Sequence, residues 1–136
     1  MSAVGGDIIS ASYNHPTLGS GTIWPKAGED STLDLGGFRS DDSEDGIDGS
    51  GNMIDKLSRK RWGAEMVAAW DNNNRLELEA VVALAASPVP AVWTVSHVSG
   101  AVYKGSGKPV GDLKGSMGEA TFPLKLAGGG IMKKIL

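Results

Sequence analysis

Residues 61–71 read RWGAEMVAAWD, in which apolar residues at the even positions 62–70 alternate with a mixed set at the odd positions 63–69. Successive side chains of an extended strand point to opposite faces, so this alternation separates two faces. One face is apolar and carries Trp62, Ala64, Met66, Ala68 and Trp70. The other face carries Gly63, Glu65, Val67 and Ala69. The period of two residues predicts a β-strand with one face in the core and the other covered or packed.

Further short strands are predicted on both sides of this stretch, bounded by Gly, Pro and Asn turns. They cover residues 8–13, 19–24, 31–35, 91–99, 101–104 and 119–127. The glycine-rich segment 105–118 is interpreted as a loop. Pro123 has no amide hydrogen to donate to a ladder, and it therefore predicts that the strand at 119–127 lies at a sheet edge.

One helix is predicted from Arg75 to about Ala86, where apolar residues recur at helical spacing. Asn74 and Glu77 have the spacing of a capping box, and Ser87-Pro88 ends the helix because the residue before proline avoids the helical region. We therefore expect a mainly β fold, an antiparallel β-sandwich or barrel of six or seven strands with one α-helix, in a single domain covering residues 1–136.

The composition is that of a globular protein, with 40% hydrophobic and 21% charged residues among 136. The chain has no cysteine, which excludes disulfides, thiolate zinc sites and cysteine nucleophiles. Its net charge of −3 argues against a dedicated nucleic-acid binder. We expect no signal peptide at residues 1–7 and no membrane span, because the longest apolar run, 81–86, is too short.

Residues 40–60 are interpreted as a long polar loop, a feature that is functional or disordered in a small domain. The loop is first acidic, with Asp41, Asp42, Glu44, Asp45 and Asp48. It is then basic, with Lys56, Arg59 and Lys60, and Arg61 follows directly after it. An EF-hand alignment from Asp41 places Asn52 where the bidentate glutamate is needed, which favours a solvated loop and leaves only a lower-order metal site open.

No residue pattern supports catalysis, since no nucleophile, base and orienting group can be named together. The sequence Gly105-Ser106-Gly107-Lys108 is similar to a phosphate loop, but Val102 and Pro109 stand where that motif needs glycine and serine or threonine. His15 and His97 do not have metal-ligand spacing. We therefore predict a protein that is not an enzyme, with no catalytic residue, cofactor or metal site.

Several segments resemble the tail tube proteins of tailed bacteriophages over nearly the whole chain. They are YNHP at 13–16, LGSG at 18–21, KAGED at 26–30, DLGG at 34–37 followed by Arg39, and AGGG at 127–130 followed by the lysines at 133–134. The order of elements agrees with such subunits, which have a β-rich start, a long polar loop, a strand, one helix and further strands.

This resemblance implies a virion structural protein that forms six-membered rings, which stack into a hollow tube for genome delivery. Strands of neighbouring subunits would join into one β-barrel around a lumen through which DNA passes without specific binding. The implied partners are other copies of the chain, the sheath, baseplate and tail-terminator proteins, and the tape measure protein. The resemblance places the protein in the virion, after assembly in the host cytoplasm, and favours a contractile tail.

In this interpretation the loop at 40–60 reaches an adjacent ring, and the arm at 1–7 and the tail at 128–136 are flexible until assembly. The predicted contact residues are Asp41, Asp42, Glu44, Asp45, Asp48, Met53, Ile54, Lys56, Leu57, Arg59, Lys133 and Lys134. Two alternatives remain open. One is a tube subunit of a type VI secretion system or a contractile bacteriocin, and the other is a monomeric carbohydrate-binding β-sandwich that uses Trp24 and Trp93.

Overall fold

A computed structural model describes residues 4–40, 46–70 and 77–136. Within these ranges the chain is mainly β. The strands are β1 (Ile8–His15), β2 (Gly19–Ile23), β3 (Thr32–Asp34), β4 (Gly37–Ser40), β5 (Gly46–Ile47), β6 (Met53–Ile54), β7 (Leu57–Lys60), β8 (Trp62–Ala69), β9 (Ala91–His97), β10 (Val102–Pro109), β11 (Thr121–Gly128) and β12 (Lys133–Lys134). The helix α1 covers Glu77–Ala86, and the start predicted at Arg75 lies outside the described residues.

The main sheet is antiparallel and has the strand order β2-β1-β9-β10-β11-β8-β3, with β12 paired to β10. The prediction of a mainly β fold with antiparallel sheets and one helix is confirmed. The sheet does not close into a barrel in the described residues, because its ladders end at β2 and β3. The chain after β2 meets β8 only through a bridge between Pro25 and Ala68 and two flanking backbone hydrogen bonds.

The strand predicted at 61–71 is β8, and the prediction of its inner face is confirmed. Trp62, Ala64, Met66, Ala68 and Trp70 are buried, whereas Glu65 on the opposite face is exposed. The core continues through Trp93 and Val95 of β9, Val81 and Leu84 of α1, and Phe122, Leu124 and Leu126 of β11. Full burial of a large apolar side chain contributes about 1.5–3 kcal/mol, so this cluster supplies most of the stabilisation.

Strand β10 is longer than predicted and ends at Pro109. The prediction of a loop from residue 105 is therefore wrong for residues 105–109. The reason is the Trp62 indole, whose Nε1 donates a hydrogen bond to the Ser106 carbonyl oxygen at 3.0 Å. A Cβ atom on Gly107 would lie 2.7 Å from the Trp62 ring, so only glycine lets the strand pass this close. The glycines therefore mark a close approach in a strand, and no loop is present here to hold phosphate.

The edge position predicted from Pro123 is also wrong, because β11 lies between β8 and β10 in the sheet. Pro123 pairs with Val67 on the β8 side. The ladder to β10 includes only Leu126 and Ala127 of β11, so it ends before it reaches the proline. The missing amide donor of Pro123 is therefore accommodated within an interior strand. At this position the described residues form a ladder only on the β8 side.

His15 is buried at the end of β1 and fixes the turn that follows this strand. Its Nδ1 accepts hydrogen bonds from the backbone amides of Thr17 at 3.1 Å and Leu18 at 3.0 Å. An accepting Nδ1 places the ring proton on Nε2, which lies 3.0 Å from the Val89 carbonyl oxygen and donates to it. One side chain therefore connects the β1–β2 turn to the segment that follows α1.

We predict that His15→Ala lowers the free energy of unfolding by about 2–4 kcal/mol, because two backbone amides lose their acceptor and a buried cavity is left. The matched control is His97→Ala. His97 is partly exposed and bonds Ser99 and the Gly6 carbonyl, and its loss should cost less than about 1 kcal/mol. Urea unfolding of both variants measures the difference, and equal losses would contradict the role given to His15.

Within residues 4–40, 46–70 and 77–136, no helix has the length and apolar character needed to cross a membrane.

Candidate functional site

Residues 37–40 and 46–60 form a second structure beside the main sheet, which we call the hairpin arm. Strand β4 pairs with β7, and β5 pairs with β6 nearer the tip. In the described residues these strands pair only with each other and with no strand of the main sheet. The loop predicted at 40–60 is therefore wrong in its described part. Sequence periodicity missed the strands because neither face of the arm is buried, and no apolar alternation is then required.

The arm is exposed along its described length, apart from Gly37, which is buried, and Ser58, which is partly exposed. Its large apolar side chains are also exposed, from 52% for Ile54 to 74% for Ile47. They are Phe38, Ile47, Met53, Ile54 and Leu57. Several large exposed apolar side chains on one short segment favour an interaction site. An isolated two-stranded hairpin is at best marginally stable in water, so a partner surface would also stabilise the arm itself.

The strand register places the arm's side chains on defined faces. Phe38 is opposite Arg59, and Ser40 is opposite Leu57, so Phe38, Leu57 and Arg59 share one face near the base. The Arg59 guanidinium lies 4.8 Å from the centre of the Phe38 ring, in a cation–π contact. At the other end, Ile47 pairs with Met53, and this apolar pair forms the tip together with the turn between them.

Asp48 shapes the turn at the tip. Its Oδ1 accepts hydrogen bonds from the Ser50 hydroxyl at 2.8 Å, the Ser50 amide at 2.9 Å and the Asn52 amide at 3.0 Å. The bond from the Ser50 hydroxyl is the main reason that the pKa of Asp48 lies below its ordinary value. Gly51 has a φ of +88°, which an L side chain rarely adopts. The tip therefore presents a fixed carboxylate that stays ionised at neutral pH.

At its base the arm is tied to the main sheet by an ion pair. Arg39 of β4 contacts Asp34 of β3 at 2.6 Å, and the hydrogen bond from Arg39 lowers the pKa of Asp34. An apolar groove of about 360 Å³ lies between the start of the arm and the C-terminal segment, and we call it the base groove. Its lining residues are Gly37, Phe38, Arg59, Gly130, Ile131 and Lys133. The groove thus combines two apolar side chains with two cations.

The C-terminal segment forms the other wall of this groove and is paired with β10, in the region where the sequence interpretation places a tail that is flexible until assembly. Gly128 ends β11, and β12 pairs with β10, with Lys133 opposite Lys104 and Lys134 opposite Tyr103. The physical reason is Met132, which is buried in the core, so the segment is held against β10. Bonds between residues 102 and 135–136 extend this pairing.

The structure brings only some of the predicted contact residues together. Asp48, Met53, Ile54, Lys56, Leu57 and Arg59 lie on the arm, and Lys133 joins Arg59 in the base groove. Lys134 lies in a different cavity, of about 460 Å³, beside Tyr103 and His97. The predicted contacts at Asp41, Asp42, Glu44 and Asp45 lie outside the described residues.

Sequence reasoning missed Phe38, Ile47, Ile131 and Lys104. The available signal was the presence of large apolar residues in a polar stretch that has no core face. Lys104 gave no signal, because only the sheet register brings it opposite Lys133.

Within residues 4–40, 46–70 and 77–136, two other kinds of site considered from the sequence are not formed. The described part of the chain contains no group of three or more His, Cys, Asp or Glu side chains that could hold a metal ion. Trp93 is fully buried and donates its Nε1 hydrogen to the Gly107 carbonyl at 3.2 Å. A carbohydrate platform built from Trp24 and Trp93 is therefore ruled out.

The fold and the arm define a mainly β protein that exposes an apolar hairpin beside an open sheet. No protein-family model and no curated protein matches this chain.

Proposed function

We propose that this chain is a structural subunit that assembles with copies of itself into stacked rings, forming a tube of the kind that tailed phages use for genome delivery. The observation that carries the proposal is the exposed apolar hairpin arm, together with the two open ends of the main sheet. The resemblance of the sequence to tail tube proteins supplies the particular assembly. Partners such as sheath, baseplate, tail-terminator and tape measure proteins are part of the same proposal.

The arm favours association because its apolar side chains have no core to enter in a single copy. Covering one large apolar side chain that is half to three-quarters exposed contributes about 1–2 kcal/mol. Several of them buried together can offset the association cost, which is on the order of 4–15 kcal/mol. A surface arm that only solubilised the protein would carry charged and polar residues instead of Phe38, Ile47 and Met53.

The open sheet ends favour a ring. Strands β2 and β3 each have an edge with unpaired backbone groups in the described residues, and such edges pair readily with strands of other chains. When β2 of one copy pairs with the β3 side of the next, the contact is heterologous, and a ring forms if the rotation closes. Closure removes the edges and joins the sheets of all subunits around a lumen.

A phage tail tube, a secretion-system tube and a bacteriocin tube would all use the same surfaces for ring formation and stacking. Assembly is proposed in preference to catalysis because the sequence offers no nucleophile, base and orienting group that can be named together.

The test is negative-stain electron microscopy of the purified protein over a concentration series, with sedimentation velocity on the same samples. We expect rings or hollow tubes whose fraction rises with protein concentration. A protein that stays monomeric at 14.1 kDa over the whole series, including the highest soluble concentration, would contradict the proposal.

A further inference from the structure

The cavity of about 460 Å³ that Lys134 lines lies at one end of the core, and we call it the end cavity. It is enclosed by β9, β10 and β12 on one side, by the segment around β3 on another, and by residues 4–8 at the start of β1. Small-molecule sites usually have volumes of about 300–1,000 Å³, so the end cavity has the size of a ligand site. The chemistry of its lining decides which kind of ligand fits.

The strand register shows that Lys134 stands on the side of the sheet that faces the core. Its neighbours across successive strands are Tyr103, Val95 and Ala11, in that order. Residues paired directly across neighbouring strands point to the same face of a sheet. Along this row Lys134 is exposed, Tyr103 is partly exposed, and the other two side chains are buried. The row therefore leads from the core to a cation at the mouth of the end cavity.

The deeper walls of the end cavity are apolar. Ile8 and Val95 are buried, and Leu33 is partly buried against the core cluster. Val4 is 63% exposed and Leu35 is 41% exposed, so these two side chains lie nearer the mouth. An apolar interior with polar groups near the opening favours a ligand that has a hydrocarbon body and one polar end.

His97 holds the wall formed by residues 4–8 in place. Its Nδ1 accepts a hydrogen bond from the Ser99 amide at 3.1 Å, so the ring proton lies on Nε2. Nε2 donates this proton to the Gly6 carbonyl oxygen at 3.1 Å. Both ring nitrogens of His97 are therefore used within the protein, and His97 is a positioning residue of the end cavity.

Two other polar groups of the end cavity are available to a ligand. Within residues 4–40, 46–70 and 77–136, the Tyr103 hydroxyl and the Lys134 ammonium have no hydrogen-bond or ion-pair partner. Their Cβ atoms are about 4.5–5.5 Å apart, because the two residues are paired directly. No acidic side chain of the described residues lines the cavity. Two hydrogen-bond donors, one of them cationic, favour a carboxylate as the polar end of the ligand.

We propose that the end cavity binds a small amphiphilic monocarboxylate, such as a medium-chain fatty acid. The hydrocarbon chain packs on Ile8, Leu33 and Val95. The carboxylate lies at the mouth, where it accepts hydrogen bonds from the Tyr103 hydroxyl and the Lys134 ammonium. The site is complete within one copy of the chain and uses no residue of the hairpin arm, so it goes beyond the proposed assembly and does not depend on it.

The test is isothermal titration calorimetry of the whole chain with sodium octanoate at neutral pH. We expect one octanoate to bind per chain. Octanol has the same hydrocarbon without the carboxylate and should bind about tenfold more weakly, because the charge-assisted hydrogen bonds are lost. Inorganic phosphate supplies charge without hydrocarbon and should give no binding heat. No octanoate binding up to its solubility, or octanol binding as tightly as octanoate, would overturn the proposal.

Substitutions of the two donors locate the carboxylate. Lys134→Gln should weaken octanoate binding about tenfold and leave octanol binding unchanged. Tyr103→Phe keeps the ring and should weaken only octanoate binding, by a smaller factor. The matched control is Lys133→Gln, which changes the net charge equally but lies in the base groove, and it should bind octanoate like the wild type. Equal losses in the two lysine variants would show non-specific charge attraction and contradict the site.

A substitution that fills the cavity locates the hydrocarbon chain. Ser31 lines the end cavity, and its hydroxyl has no hydrogen-bond partner in the described part of the chain. Ser31→Leu should therefore remove the binding of both octanoate and octanol without breaking a bond. Leu35→Trp fills the cavity from an exposed position and replaces this variant if its melting temperature shows that it is not folded.

The outcome is independent of the test of assembly. Wild-type affinity for octanoate in a folded cavity-filling variant would place the binding elsewhere and show the proposal to be wrong. Calorimetry reports this result whether or not electron microscopy shows rings or tubes, so failure of the ligand site and failure of the proposed function are distinguished.

Discussion

A variant in which residues 41–56 are replaced by Asn-Gly is expected to lose the ability to form tubes while keeping the fold of the main sheet. The replacement joins Ser40 directly to Leu57 through a two-residue turn, and these residues already form the last pair of the β4–β7 ladder. Asn-Gly is the sequence best suited to a type I′ hairpin, so the ladder should be retained. The variant lacks the tip and the acidic residues of this segment, and the proposed contact between rings should be removed with them.

The expected effect is large because the interaction surface is deleted as a whole. In the described part of the arm, no removed residue contributes to the hydrophobic core. The melting temperature should therefore stay within a few degrees of the wild type, while electron microscopy shows no tubes at concentrations where the wild type forms them. Single rings from this variant would agree with the proposal, because the proposed contacts within a ring lie in the main sheet. Tubes of normal length from this variant would show that the arm is not the stacking contact.

The second large effect is expected from Gly128→Ala, which should lower the free energy of unfolding by about 3–5 kcal/mol. A Cβ atom at this position would overlap the Ser106 carbonyl oxygen and lie 2.6 Å from Trp62 Nε1. These two groups form the hydrogen bond that fixes the Trp62 indole against β10. Since a methyl group cannot be accommodated without moving the backbone, the contact between β10, β11 and the central tryptophan would be lost.

Gly129→Ala provides a matched control one residue away. A Cβ atom on Gly129 would have no neighbour within 4 Å, and its backbone does not need glycine. The control should change stability by less than about 0.5 kcal/mol. Differential scanning calorimetry should show Gly128→Ala melting about 10–20 °C lower than Gly129→Ala. Similar melting temperatures would mean that the backbone relaxes around residue 128 at little cost.

How far the sequence determines the site can be judged from particular residues. The polar stretch at 40–60 identified the part of the chain that lacks a core and the basic residues near its end. It did not predict Phe38 and Ile131 as walls of one groove, because they are far apart in sequence and meet only when β12 lies against β10. It also did not predict the pairing of Lys104 with Lys133, which depends on the register of two strands joined through the whole of β11.

The sequence by itself determined the central strand at 61–71, the identity of its buried face, the helix that ends before Pro88, and the mainly β class. Each of these depends on local periodicity or on the stereochemistry of a single residue. The tertiary structure alone decided that Gly105 and Gly107 continue a strand, that Pro123 lies inside the sheet, and that the C-terminal segment is bound. Those outcomes depend on where Trp62 and Met132 are buried, and burial is a property of contacts between distant residues that no local pattern records.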